Sequence, residues 1–345
     1  MKHLITITFL LVFVALAAQD TQEETPDKKF SISGSVDAYF RTNLTGPNEA
    51  FEDEEGTFFL NPGTSFADRS GFSLGMANAI ISYEGSKVGF VADLVFGPRG
   101  EDAVFLSTGS SNIVNQLYAY YQVTDKLKFT LGNFNTFLGY EVISPVGNFN
   151  YSTSYMFSNG PFSHSGLKAD IALSDDFSLM LAIMNSTDFT DINLDGSYTA
   201  GAQLGYKSQF LNLLYGNQTG NSEATFQVDY TGGTDLGDSF FLGINATYND
   251  TDGSGFYGAA LYPQYTLSEK LALGLRAEYF GFHQEDLDDD TVFAATLSAN
   301  YTIEDLTIIP EIRLDSWSED TYFDNDLEPS KSLASFLIAA VYKFN

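Results

Sequence analysis

Few residues in this chain could do covalent chemistry. There are three His and no Cys among 345 residues. Without Cys there is no thiolate nucleophile, thiolate metal site or disulfide. His3 stands at the extreme N-terminus. His164 is followed directly by Ser165 at the start of an alternating segment. Adjacent residues of a strand point to opposite faces, so the pair does not readily share a hydrogen bond. His283 stands near Glu285 and Asp286 in a stretch that reads as a solvated loop. With no nucleophile, base and orienting group in view, the chain reads as a non-enzyme.

Ion binding is the other chemistry on offer. Asp191, Asn193, Asp195 and Gly196 match the first half of a calcium loop, D-x-[DN]-x-[DN]-G. The bidentate Glu due at the twelfth position is replaced by Ala202. With Asp188 added, this is a candidate for weakly bound Ca2+, and Asp286, Asp288, Asp289 and Asp290 form a second acidic group. No other cofactor is expected. The bland reading of both groups is that acidic loops keep a surface solvated. The chain carries 16 Lys+Arg against 45 Asp+Glu, a net charge of −29. That argues strongly against a sequence-independent nucleic-acid binder, which needs basic residues to neutralise phosphates. Hydrophobic residues at 44% and aromatics at 15% exclude a disordered chain.

Certain elements must position these residues. Met1 and Lys2 precede an uncharged run from Leu4 to Ala18 that ends in Ala15-Leu16-Ala17. The run falls short of the ~20 residues of a membrane-spanning helix. A charged start, apolar centre and small-residue end mark residues 1–18 as a secretory signal peptide. Residues 19–29 are polar and read as a flexible lead-in, leaving 30–345 as one domain.

That domain alternates with period two. Leu271, Leu273, Leu275, Ala277 and Tyr279 oppose Ala272, Gly274, Arg276, Glu278 and Phe280. Such alternation specifies strands. Sixteen segments follow it: 30–40, 72–84, 87–97, 113–124, 127–135, 164–174, 177–186, 198–207, 210–218, 223–231, 238–249, 256–266, 271–282, 291–302, 305–316 and 333–344. Short turns such as 124–126, 207–209 and 303–305 alternate with longer polar connections at 41–71, 98–112, 136–163, 187–197, 217–222, 250–255, 283–290 and 317–332. Apolar faces without charge, opposite faces that are small and charged, and short turns alternating with long loops together specify an all-β, up-and-down antiparallel transmembrane barrel. Short turns then lie in the periplasm and long loops outside, which places the chain in a bacterial outer membrane, in contact with its lipid. A soluble sandwich of this length would divide into domains, and no linker divides this one. The last strand alternates through Ala334, Phe336, Ile338, Ala340, Tyr342 and Phe344 up to Asn345. A terminal strand of this kind resembles the signal read by the outer-membrane assembly machinery, with Asn after the last Phe as a departure.

The stretch from Gly132 to Gly166 carries a more specific signal. Gly132, Phe134, Gly139, Tyr140 and Glu141 fit G-x-F-x-T-x-x-G-Y-E; Asn148, Tyr151, Ser152, Ser154 and Phe157 fit N-x-x-Y-S-x-S-x-x-F; Pro161, Phe162, His164 and Gly166 fit P-F-x-H-x-G. In these motifs the chain resembles the OmpL-like family of outer-membrane β-barrel porins. The resemblance implies an outer-membrane barrel and pore formation, and says little about the solute.

Residues 136–163 are rich in Tyr and Phe and carry one charge, Glu141. An apolar aromatic loop needs a surface to bury against. The barrel interior is the nearest, so Tyr140, Glu141, Asn148, Tyr151, Tyr155 and Phe157 are expected in a constriction loop. By strand parity the inward acids are Asp37, Asp93, Asp170, Asp229, Glu278, Glu311 and Asp315, and the inward bases are Lys128, Lys168, Lys207, Arg276 and Arg313. A small negative balance and acidic mouth loops give the expected function: passive diffusion of small hydrophilic solutes or ions with mild cation preference. A plugged structural or adhesive barrel, binding partners through its acidic loops, is the rival reading. Homo-oligomer formation is compatible with either.

Overall fold

A computed structural model describes residues 29–52, 56–221 and 223–345. The expected signal peptide and most of the lead-in lie outside the described residues. Sixteen long strands close into one barrel. They are β1 Lys29–Asn43, β2 Gly71–Glu84, β3 Val88–Phe96, β4 Val114–Thr124, β5 Leu127–Asn135, β6 Ser163–Ala172, β7 Phe177–Met184 and β8 Thr199–Tyr206. The second half is β9 Gln209–Asn217, β10 Ala224–Asp235, β11 Phe240–Thr251, β12 Ser254–Ser268, β13 Leu271–Gln284, β14 Asp290–Ile303, β15 Leu306–Trp317 and β16 Ser332–Phe344. Each strand pairs with its neighbours in sequence, and β1 closes the ring by pairing with both β2 and β16. Closure leaves no strand edge, so the sheet's backbone groups are satisfied without water.

The polarity of the wall is inverted relative to a soluble protein. Phe72, Leu131, Leu181, Leu213 and Ile312 are exposed on the outside, with Phe72 91% exposed. Ser35, Asn78, Asn212, Thr296 and Ser298 are buried on the inside. An apolar exterior around a polar interior is the arrangement that lipid selects. No helix among the described residues is long and apolar enough to cross a membrane; the spanning elements are strands.

Two connections differ from the sequence reading. The expected long connection 250–255 is a two-residue hairpin, because β11 runs to Thr251 and β12 begins at Ser254. Asp252 and Gly253 both take positive φ, 52° and 77°, the conformation that an Asp-Gly pair favours in a tight hairpin. Lys207, expected to face the lumen, stands in the β8–β9 turn with φ 54°. Its ammonium lies 5.4 Å from the ring centre of the exposed Tyr206. Alternation continued across a turn placed it on the wrong face.

Three loops carry most of the irregular chain: 44–70, 97–113 and 136–162. All three open from the end of the barrel opposite the short turns. The second contains a short helix, α1 (Pro98–Ala103), and the third another, α2 (Tyr155–Asn159). Single-Cys labels at 191–195 or 286–290 are expected to react with a membrane-impermeant reagent on intact cells, and labels at 125 or 269 are not. The opposite pattern would invert the barrel.

Candidate functional site: the inward-folded loop and its charged wall

The 136–162 loop leaves β5 and returns to β6 with its ends tied together, Thr136 N donating to Phe162 O at 2.9 Å. Between those points it meets many parts of the inner wall. Gly139 N donates to Asp229 on β10 at 2.9 Å. Tyr140 stacks on Tyr262 of β12 with ring centres 4.2 Å apart. Asn150 Nδ2 donates to Ser298 of β14 at 2.6 Å. The Tyr151 hydroxyl donates to Asp37 of β1 at 2.5 Å. The segment is therefore inside the barrel, at the level of its charged residues.

Small wall residues make room for it. Inward-facing Gly201, Gly243, Gly258 and Gly274 lie under Phe137, Tyr140, Met156 and Phe149 respectively. A Cβ at Gly201 would stand 2.7 Å from the Phe137 ring, and one at Gly258 2.7 Å from Met156 Cγ. Both are closer than packed atoms approach. On β2, a Cβ at Gly75 would overlap the Asp37 carboxylate and stand 2.6 Å from the Tyr151 hydroxyl. Gly75 sits in a bulge between β1 and β2. The bulge admits Asp37, whose Oδ1 also accepts from Met76 N at 3.1 Å.

A polypeptide segment inside a barrel has no strand to pair with, yet its buried backbone groups need partners. Wall charges provide them. Glu311 accepts from Tyr151 N and Ser152 N at 2.5 and 3.1 Å. Glu278 accepts from Tyr155 N and Met156 N at 3.0 and 2.8 Å. Arg276 donates to Ser152 O at 2.6 Å, and Arg313 to Thr153 O at 2.8 Å. Register explains the arrangement. Arg276, Thr296 and Arg313 occupy one level across β13, β14 and β15, and Glu278, Ala294 and Asp315 the next. Small side chains on β14 leave space between two charged columns.

The charges also neutralise one another. Arg276 meets Glu141, the loop's one charge, at 2.6 Å, both side chains being almost wholly buried. Glu141 accepts Ser154 N at 2.7 Å as well. Arg313 and Asp315 pair at 2.8 Å within β15. The Tyr155 hydroxyl donates to Pro62 O at 2.6 Å and lies 3.0 Å from Asp315. Burial, reinforced by the charge of Asp37 and Asp315, pushes the Tyr151 and Tyr155 phenols well above their usual pKa. They stay protonated and act as donors. Asn148 braces the loop internally, bonding both N and O of Val142. Phe157 is buried with Phe66, Phe162 and Ile143.

The other sequence-predicted residues separate into two groups. Asp93 is buried and bonded by Asn78 and Asn115 at 3.1 and 2.7 Å. Asp229 is buried and takes Asn212 and Asn245 besides the loop. Lys128 and Lys168 keep part of their surface exposed, lying 3.5 and 3.7 Å from Asp170. The sequence reading assigned these residues to the inner face by strand parity. What it did not contain is that Asp37, Asp93, Asp229, Arg276, Glu278, Glu311, Arg313 and Asp315 are all withdrawn from solvent.

Arg99 of α1 escaped the sequence reading altogether. It donates to Ile143 O and Tyr151 O at 2.8 and 3.2 Å, and lies 4.4 Å over the Phe66 ring. Its loop has no periodicity to mark it. Of the calcium candidates, Asn193 accepts from Gly196 N and donates to Ser197 O. Asp191 lies beside a cavity on the outer wall with Asn185 and Thr190. Among the described residues, no three His, Cys, Asp or Glu come together as a metal site. His164 is buried against the Phe134 and Phe137 rings, with Nε2 3.0 Å from Thr136 Oγ1. His283 pairs across strands with Asp250 at 3.9 Å, rather than with its sequence neighbours.

A closed sixteen-stranded barrel, apolar outside, polar inside and entered by a long loop, defines an outer-membrane protein of porin architecture. The family model "Putative beta-barrel porin-2, OmpL-like" matches residues 29–344, and the chain belongs to that family. The outer-membrane channel DcaP of Acinetobacter baumannii is similar in structure, with a TM-score of 0.61 at 13% identity over 92% of this chain and 97% of that one. The trimer form of OmpT from Vibrio cholerae gives 0.58 at 12% identity, over 92% of this chain and 100% of the other. An anion-selective porin from Comamonas acidovorans gives 0.58 at 9% identity, also over 92% and 100%. At these identities the likeness is one of fold. No curated protein matches the sequence. The protein resides in the bacterial outer membrane.

Removing one member of the central pair tests the clamp. Arg276→Met leaves Glu141 buried and unpaired, an expected local cost of about 3–5 kcal/mol. Hydrogen exchange across 141–157 should accelerate while the strands stay protected. Unchanged exchange in the loop would show that the wall charges do not hold it.

Proposed function

We propose that this protein is a diffusion channel for small hydrophilic solutes or ions, in which the 136–162 loop sets the constriction. The observation that carries the proposal is the hold of Glu278, Arg276, Glu311 and Arg313 on segment 151–156. The family and the similar solved structures support the channel class. The chain has no enzymatic role in this reading, since His164 and Ser165 do not act together.

Charge gives the direction of selectivity. Two of the buried charges' contacts are ion pairs, Arg276 with Glu141 and Arg313 with Asp315, whereas Asp93, Asp229, Glu278 and Glu311 are held by neutral donors, so the interior is acidic and favours cations. The exposed acids of the outer loops, including Asp286, Asp288 and Asp289, also attract cations. Their reach is about 10 Å at 0.1 M salt. A mild cation preference that weakens as salt rises follows. Copies of the chain associate in this reading, as the trimeric relative does, although no calcium or adhesive partner enters it.

The fit between loop and wall favours one rival specifically: a structural barrel permanently plugged. Planar-bilayer recordings separate the two. The wild-type chain should show stepwise openings and a cation-selective reversal potential in a KCl gradient. Deleting about 145–158 should raise the conductance. Silent wild-type protein would support the plugged barrel, unchanged conductance after deletion would put the loop outside the permeation path, and an anion-selective potential would overturn the charge argument.

A further inference from the structure

We propose that the extracellular mouth between β11 and β14 is a binding site for a neutral saccharide. The site is a row set by strand register. Asn249 of β11 lies beside Phe256 of β12, Phe256 beside Phe282 of β13, and Phe282 beside Asp290 of β14. Toward the rim, Thr251, Ser254 and Gln284 form a second row. Both rows face a cavity of about 630 Å³, which Asn221 and Asp288 complete from the loops.

Phe282 is the anomaly that calls for a ligand. Phe256, Phe280 and Trp317 around it are buried, whereas Phe282 remains 40% exposed. Its orientation is set from behind. Trp317 lies parallel to it at 7° with centres 6.3 Å apart, and Phe280 meets it edge-on at 5.0 Å. A ring fixed in this way presents a pre-organised apolar surface at small entropic cost. A pyranose matches it on both counts. Its C–H face lies on an aromatic surface, and its rim hydroxyls both donate and accept. Amides and hydroxyls do the same on the protein side, while carboxylates only accept. Among the described residues, the side chains of Asn221, Ser254, Gln284 and Asp288 make no hydrogen bond, so they are open to such a partner. Asp290 is already engaged by Ser318 at 2.9 Å. Amides and hydroxyls therefore outweigh free carboxylates, which favours a neutral polyol over an organic cation. A cavity of this size with an apolar floor and a few convergent polar groups has the form of a small-molecule site.

The inference concerns binding at the mouth and does not depend on conduction through the barrel. Its test accordingly needs no bilayer. Trp317 is the single Trp of the chain and stacks on Phe282, so its emission reports the site. The full chain, in a detergent without a sugar headgroup, is titrated with maltotriose, lactose and sucrose, with choline as the cationic control. At least one sugar should give a saturable change with a midpoint of about 1 mM. Phe282→Leu should raise that midpoint by about tenfold, corresponding to ~1.4 kcal/mol. Because this substitution also alters the surroundings of Trp317, Gln284→Ala and Asp288→Ala are titrated by calorimetry, which does not read the indole, and should weaken binding in the same direction. No saturation with any sugar, a response to choline alone, or midpoints unchanged in all three variants would overturn the proposal.

Discussion

A buried peptide group without a hydrogen-bond partner is expensive, and the interior of this barrel holds a stretch of peptide that no strand can satisfy. The inner wall is organised around that constraint. Two glutamates receive pairs of N–H groups from the loop, and three arginines, one of them from α1, donate to its carbonyls. A charged side chain is a strong partner for a neutral amide, but burying it carries its own desolvation cost. Pairing Arg276 with Glu141 and Arg313 with Asp315 offsets that cost. Loop and wall are thus mutually dependent. Without the loop, the wall charges would be rehydrated; without the wall charges, the loop backbone would be unpaired.

Shape reinforces charge. The glycines under Phe137, Tyr140, Phe149 and Met156 belong to four different strands. None is required by the β-structure itself, since Gly weakens a strand interior. Their common property is the ring or thioether lying over each. The loop is therefore seated at several separated points, which resists tilting as well as withdrawal. Phe66 of the first long loop and Arg99 of the second pack on the same segment. Three loops remote in sequence form one body inside the barrel.

The barrel was largely legible in the sequence. Alternation such as Leu271 to Phe280 encodes both the strand and its inward face, because lipid and lumen demand opposite polarity at successive residues. The same parity identified Arg276, Glu278, Glu311, Arg313 and Asp315 as inward residues. It could not show that they are buried, because burial depends on contacts with residues more than a hundred positions away. The scarcity of charge between 136 and 163 did point inward, and Glu141 stood out as its exception. Errors arose where a local rule interrupts the period. Asp252-Gly253 is a tight-turn signature that was absorbed into a loop, and Lys207 was carried past the end of its strand. Arg99 had no signal at all, since an aperiodic loop gives no face to assign.

The central claim is that the loop rests against the wall in the membrane as it does here. Asn150 and Ser298 bring their side chains within 2.6 Å across that contact, and the chain has no Cys of its own. An Asn150→Cys/Ser298→Cys variant should therefore form a disulfide readily in isolated outer membranes, without strong oxidant. The cross-linked barrel should conduct no differently from its reduced form. Failure to cross-link, or a conductance that changes when the bond is reduced, would show that the docked loop is not the resting state and would contradict the account.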